Sequence, residues 1–353
     1  MNSPVPFTAP PSAPPRHERI LVALTEQEKE MFLPGMDWGN HFTEALKHVE
    51  LNTLNSADWE HTLREFQPTV LLSAWNTRPL PVSWLETPDC SLRYVCHLVG
   101  SARYLVPRVF LERGGLLTNW GSLAGDAVAE HALLLALASL RRQPEWRPLI
   151  NGLIKDPGRP GTALLRTRTL HGRRVGIHGF GHVARSLVRL LQPFGVEIAA
   201  FSAGVPSAVL RAGGVIPCDS LRELAARSEI FFECEALTPR THGSVDTIVI
   251  AALVDDALFV NVGRGPVVDE PALVAAAASE RIQIALDVVV NDPIGPGSPF
   301  LKVPNAILSP HVAGPTYDQF PECGNHAIEN MDRYLRGEPL DALITAELYD
   351  RST

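Results

Sequence analysis

At 353 residues, with 45% hydrophobic and 20% charged side chains, the chain has a globular composition and is long enough for two domains. A formal net charge of -8 and the lack of a long Lys/Arg run argue against nucleic acid or an anionic membrane as the main partner. The five cysteines Cys90, Cys96, Cys218, Cys234 and Cys323 form no CxxC and no metal spacing, so no metal is expected, and reduced thiols in a cytoplasm fit better than a disulfide framework.

Residues 1–17 are dense in proline, carry no signal-type apolar region, and read as a disordered tail. Strands follow at 19–24, 69–75, 92–99 and 116–119. Helical patterns lie between them at 56–66, with Ser56 as a plausible cap, and at 105–113, stopping at Gly114 and Gly115. Strands alternating with helices suggest a parallel α/β domain that ends near Gly121. The run 127–140 is apolar on nearly every face. It is too short to span a bilayer and should be buried all round, between domains or subunits. Glu130 and His131 read as satisfied polar groups at its start. Residues 144–169 form a loop with a remnant of helix near Trp146.

The next stretch organises the rest. An apolar run, 175–178, ends at Gly179 and is followed by Phe180, Gly181, His182, Val183 and Ala184. Val183, Leu187, Leu190 and Leu191 then recur on one helical face, and another apolar run covers 196–201. Strand, glycine turn, helix, strand is the setting in which GxGxxA specifies a dinucleotide site. Gly179 permits the tight turn, Gly181 lets the backbone approach a pyrophosphate, and Ala184 lets helix and strand pack closely. The phosphates then lie on free N–H groups at the helix N-terminus.

The rhythm continues with a helix at 221–227 capped by Ser220, and strands at 230–234, 258–261, 282–288 and 306–308. A helix covers 270–279. Arg264, Asp287, Asp292 and His311 all end or follow strands. Ligands of doubly wound sheets bind outside the carboxyl ends of strands, which gathers these four around the crevice of Gly179 and Gly181.

The ordered motifs GFGHVA, ALTPRT, NVGRGPVVDE, ALDVVVNDP and SPHVAG resemble those of the D-isomer-specific 2-hydroxyacid dehydrogenases, a family that includes phosphoglycerate dehydrogenase and glyoxylate/hydroxypyruvate reductase. The resemblance covers about 94–336; the first 90 residues match only in rhythm. It implies an α/β protein of two Rossmann-like domains. A dinucleotide-binding domain, 122–312, is inserted in a flavodoxin-like substrate domain, 18–121 with 313–348. It also implies NAD(H) or NADP(H), a small 2-oxoacid or 2-hydroxyacid substrate, and a homodimer. Arg264 falls on the arginine that holds the substrate carboxylate, for which a guanidinium fork is suited. His311 falls on the general acid/base, and Asp292 on its acidic partner. Asp287 falls on a contact to the nicotinamide carboxamide. Gly179, Gly181, His182, Val183, Ser202, Glu235, Val262, Gly263, Arg264, His311 and Gly314 complete the implied cofactor contacts. Gly100, Ser101, Arg103 and Arg264 are those implied for substrate. A dinucleotide-responsive, corepressor-like scaffold is the alternative.

The sequence departs from the family's pattern at four places. Asp292 stands where a glutamate is usual, which shortens its reach by about 1.5 Å. The pair with His311 then needs the loop to move in or a water to bridge. The substrate loop reads Gly100-Ser101-Ala102-Arg103 rather than glycine-rich. Cys234 stands where a histidine is common and reads as packing. Ser202 stands where an NAD-specific site has a carboxylate for the ribose 2′-OH. With Arg211 the nearest downstream arginine, Ser202 alone predicts weak discrimination between the two cofactors.

Overall fold

The computed structural model describes residues 18–152, 165–304 and 306–351. The proline-rich tail and part of the expected loop at 144–169 lie outside them. The described residues divide into two compact units, 18–121 with Tyr317–Tyr349, and Ser122–Thr316.

In the first unit, β1 (Arg19–Ala23), β2 (Ala45–His48), β3 (Val70–Ser73), β4 (Tyr94–His97) and β5 (Leu116–Thr118) form one sheet in the order β2-β1-β3-β4-β5. Every pairing is parallel, and the order is that of flavodoxin-like sheets. The inner strands β3 and β4 are buried along their whole length, in keeping with their mostly apolar sequences, Val-Leu-Leu-Ser and Tyr-Val-Cys-His. The edge strand β2 has a half-exposed Ala-Leu-Lys-His sequence and gives no such signal. Helix Ser56–Phe66 is capped by Asn55, whose Oδ1 accepts from the N–H groups of Ala57 and Asp58; Ser56 is already helical. The helix expected from residue 105 starts only at Arg108, because Pro107 is its N-cap and disfavours the helical conformation at Val106; Leu105 and Val106 are buried ahead of it.

The C-terminal segment completes this unit. Helix Phe320–Arg336 lies against β4 and helix Glu26–Phe32. A Cβ on Gly324 would sit 1.8 Å from the Phe32 carbonyl oxygen, so only glycine allows that approach. Tyr334 stacks on Tyr94 at 4.8 Å, Leu343 bridges Thr118 of β5, and the Tyr349 hydroxyl donates to the Val106 carbonyl at 2.6 Å.

The second unit carries β6 (Arg174–His178), β7 (Glu197–Phe201), β8 (Ile216–Pro217), β9 (Ile230–Glu233), β10 (Leu258–Asn261), β11 (Gln283–Leu286) and β12 (Ile307–Leu308). Their order is β12-β11-β10-β9-β6-β7-β8, all parallel. The chain winds outward on one side of β6, through β7 and β8, and then returns to build the other side from β9. The switch point of this doubly wound sheet therefore lies between β6 and β9, and its crevice opens at their carboxyl ends.

Helix Leu123–Leu140 is four residues longer at its start than the apolar run. At 18 residues it could cross a membrane by length and composition alone. It is packed instead against helix His182–Leu191, β10 and β11. Its small residues make this possible: Ala129, Ala132 and Ala136 are fully buried. Within the single chain the helix is not buried all round. Asp126, Glu130 and Leu134, one turn apart, form an exposed stripe, and His131 lies inside the helix rather than at its end.

Candidate active site

Strand β6 delivers the glycine turn. Gly179 has φ +92°, and a Cβ there would lie 2.8 Å from the backbone of Cys234 and Glu235. No side chain fits at that position, and β6 and the segment after β9 can approach closely for this reason. At Gly181 a Cβ would meet nothing within 4 Å. Gly181 is also the N-cap of helix His182–Leu191, and no side chain caps that helix. Open space beside uncapped N–H groups, at the positive end of the dipole, fits a pyrophosphate. Ala184 is fully buried on the strand side. His182 packs its Cβ toward Gly125, where an added Cβ would lie 3.2 Å away, while Val183 continues the first turn.

At the switch point the structure shows a buried network. The His178 Nδ1 lies 2.5 Å from Glu233 Oε2, across the β6–β9 register, and both side chains are fully buried. Burial opposes charge on His178, and the neighbouring Glu233 carboxylate outweighs it, so the ring titrates above an ordinary histidine. The Glu235 N–H donates to Glu233 Oε1 at 2.7 Å. Ser202, the residue after β7, donates its hydroxyl to Glu235 Oε2 at 2.8 Å. Cys234, between the two glutamates, has a thiol pushed well up by burial and packs against the core.

Strand β10 ends in Val262, Gly263 and Arg264. Val262 N–H donates to the Glu233 carbonyl at 3.1 Å, and a Cβ on Gly263 would sit 3.0 Å from the Glu235 carbonyl oxygen, so this turn seats directly on the Glu233–Glu235 segment. Arg264 donates from Nη1 to the Gly263 carbonyl at 2.8 Å. Burial lowers its pKa and the charge of Asp292 acts in the opposite direction; a guanidinium stays charged in either case. The next residue, Gly265, admits no Cβ, which would fall 1.9 Å from the Val289 carbonyl carbon.

Beyond β11, Asp287 holds the loop that carries His311. Its carbonyl accepts from the His311 N–H at 3.0 Å. Its Oδ1 accepts from the Val312 N–H at 2.9 Å and the Ser309 hydroxyl at 2.6 Å, and its Oδ2 accepts from the Ala313 N–H at 3.0 Å. Because the Ser309 hydrogen is given to Asp287, its oxygen accepts from His131 Nε2 at 2.9 Å. Burial raises the Asp287 pKa, but His131, whose Nε2 is also 3.5 Å from Oδ1, and then the Ser309, Val312 and Ala313 hydrogen bonds outweigh it and hold the carboxyl below its usual value. This clamp keeps His311 at φ +57°, a left-handed conformation that costs energy outside glycine and needs such over-determination. Gly314 follows at once. The His311 Nδ1 is hydrogen-bonded directly to Asp292 Oδ2. The shortened carboxylate therefore reaches the ring without a bridging water.

The other implied substrate residues, Gly100, Ser101 and Arg103, belong to the first unit and follow β4. An added Cβ on Gly100 would lie 2.7 Å from Trp120 Nε1, and its carbonyl accepts from Asn119 Nδ2 at 2.6 Å. The Ser101 carbonyl accepts from His97 Nε2 at 3.0 Å, so Nδ1 is the unprotonated nitrogen and accepts from the Ser73 hydroxyl at 3.0 Å. Burial lowers the His97 pKa to about 4, which keeps the ring neutral. Arg103 is exposed, and its guanidinium lies 5.6 Å from the Tyr349 ring. The clamps made by His97, His131, Ser309 and Glu233 have no motif of their own and were not expected from the sequence.

Comparison with known proteins bears on the same residues. Residues 126–313 match the model of the D-isomer specific 2-hydroxyacid dehydrogenase NAD-binding domain. That span holds the glycine turn, Arg264, Asp287, Asp292 and His311. The chain belongs to this family. It is 31% identical over 262 residues to the glyoxylate reductase/hydroxypyruvate reductase of Homo sapiens, covering 72% of this chain and 78% of that protein. It is 31% identical over 248 residues to the 2-ketogluconate reductase of Gluconobacter oxydans, covering 69% and 75%. A glyoxylate reductase from Paecilomyes thermophila has the same fold, with a TM-score of 0.76 at 21% identity over 94% of this chain and 99% of that one. As a 2-hydroxyacid dehydrogenase, the protein is an oxidoreductase that uses NAD(H) or NADP(H) and acts between a 2-oxoacid and a D-2-hydroxyacid.

Proposed function

We propose that this dehydrogenase reduces a small 2-oxoacid with Arg264, His311 and Asp292 as its catalytic set. The observation that carries the reading is the direct His311–Asp292 hydrogen bond on a loop clamped by Asp287. When bound, NADH or NADPH would supply the hydride needed at the substrate's carbonyl carbon. Arg264 grips the carboxylate and polarises the carbonyl. His311 gives its Nε2 proton to the carbonyl oxygen as the C–H bond forms, and the C=O π pair becomes the hydroxyl O–H bond. Asp292 occupies Nδ1, so Nε2 is the nitrogen left to face substrate. In the oxidative direction the same nitrogen takes the hydroxyl proton. In this reading Val262, Gly263 and Gly314 of the second unit are assigned to the cofactor, and Gly100, Ser101 and Arg103 of the first unit to the substrate.

A spectrophotometric panel tests this. NADH and NADPH oxidation is followed with glyoxylate, hydroxypyruvate, pyruvate and bulkier 2-oxoacids. Aromatic ones belong in it, because Trp75 and Tyr104 are 45% and 43% exposed in the loops after β3 and β4. Turnover of at least one acid is expected; none across the panel would reject the assignment.

The protein is further proposed to be a cytoplasmic homodimer. All five cysteines are free, as in a reducing compartment. On the outer stripe of helix Leu123–Leu140, Leu134 is 58% exposed, and nearby in sequence Trp146 and Ile150 are 46% and 83% exposed, an apolar set that suits a second copy. Light scattering at micromolar concentration should return twice the chain mass; a monomer mass would overturn the dimer.

A further inference from the structure

We infer that Glu235, oriented by Ser202, reads the cofactor's adenosine ribose and makes this enzyme selective for NADH over NADPH. The inference rests on the dinucleotide site described above and deepens it. In doubly wound sheets the residue about twenty positions after the glycine turn, at the end of the second strand, meets the ribose 2′-OH. Here that residue is Ser202, after β7, and serine carries no charge. The structure places a charge beside it from another strand. Glu235 Oε2 is 2.8 Å from Ser202 Oγ, although the two residues lie 33 apart in sequence. An aspartate at 202 would put its carboxylate carbon where Ser202 Oγ stands. The Glu235 oxygen therefore lies within one hydrogen-bond length of the usual carboxylate's place.

The surroundings hold it there. Ser202 donates its hydroxyl to Oε2, and the Ala236 N–H donates to Oε1 at 3.1 Å. His178 Nε2 is 4.0 Å from Oε2, and Glu233 fixes the Glu235 backbone through its N–H. Most of the side chain is buried, with 15% exposed, so one edge of the carboxylate remains open to accept from ribose hydroxyls. A 2′-phosphate at that edge would meet a like charge in a partly desolvated site. Arg211, the cation that could answer it, is exposed on the helix Ser207–Ala212. Ser202 alone implies weak discrimination; Ser202 with Glu235 implies the opposite.

The test is binding rather than turnover. The cofactor-free full-length protein is titrated with NADH and with NADPH, following quenching of its tryptophan fluorescence, for wild type, Glu235→Gln and Ser202→Ala. Wild type should bind NADH tighter by about a hundredfold or more, equivalent to roughly 2.7 kcal/mol. Glu235→Gln should shrink that ratio at least about tenfold, chiefly by tightening NADPH. Ser202→Ala should keep a preference for NADH, but a smaller one. Equal binding of both nucleotides by wild type would overturn the inference while leaving the dinucleotide site intact, and so would a folded Glu235→Gln protein with an unchanged ratio. Failure to bind either nucleotide would reject the site itself. The wild-type ratio decides the matter even if a variant does not fold.

Discussion

Replacing His311 with alanine should lower kcat by about 10²–10⁴-fold, the range for loss of a general acid, with NADH affinity largely kept. The Cβ of the replacement preserves the loop, because Asp287 holds that loop through the backbone N–H groups of residues 311 to 313 and not through the ring. The loss therefore reports the missing Nε2 proton rather than a collapsed site. Asp292→Asn should cost a smaller part of the same rate: the amide can still hydrogen-bond Nδ1, but it can offer an N–H and so favour the wrong tautomer. Both are read by steady-state kinetics beside a fluorescence titration with NADH. Wild-type turnover in His311→Ala would end the proposed mechanism.

Arg264→Lys is expected to raise KM and lower kcat together, with kcat down by about 10²–10³-fold if the guanidinium polarises the carbonyl as an oxyanion donor does. Lysine keeps the charge but has no planar fork, and it loses the bond by which Nη1 is braced on the Gly263 carbonyl at 2.8 Å. A purely structural arginine would show up as a drop in melting temperature with kcat unchanged. A rise in KM alone would mean that Arg264 binds the carboxylate and does nothing to the transition state.

What was legible in the sequence follows from burial. Strand β10 coincides with its expected range, 258–261, because it is buried on both faces and reads as an apolar run that closes at Asn261. The glycine turn was legible because Gly179 and Gly181 each answer a different spatial demand. The edge strands β2 and β8 gave little signal, being short and partly exposed. The clamp at Asp287 was illegible for another reason: its main donors are backbone N–H groups, which every residue but proline carries. His131 was misplaced at a helix end because the sequence reading began that helix four residues late, when in fact it starts at Leu123. Asp292 was expected to fall short on side-chain length alone, yet the backbone brings it to His311. The Glu235–Ser202 contact joins two strands that are not neighbours in sequence, and no local pattern announces it.

The way the C-terminal segment closes the first unit bears on how the protein is made. Tyr334 against Tyr94, Gly324 against Phe32 and Tyr349 against Val106 all join residues from opposite ends of the chain. On the ribosome, the first half of this unit emerges early but lacks its last helices until the whole of the second unit, 122–316, has been translated. The second unit is continuous from Ser122 to Thr316 and can close on itself first. The part made first is thus finished last, and during that interval the apolar β4, which the late helix covers, is exposed to chaperones and to other nascent chains.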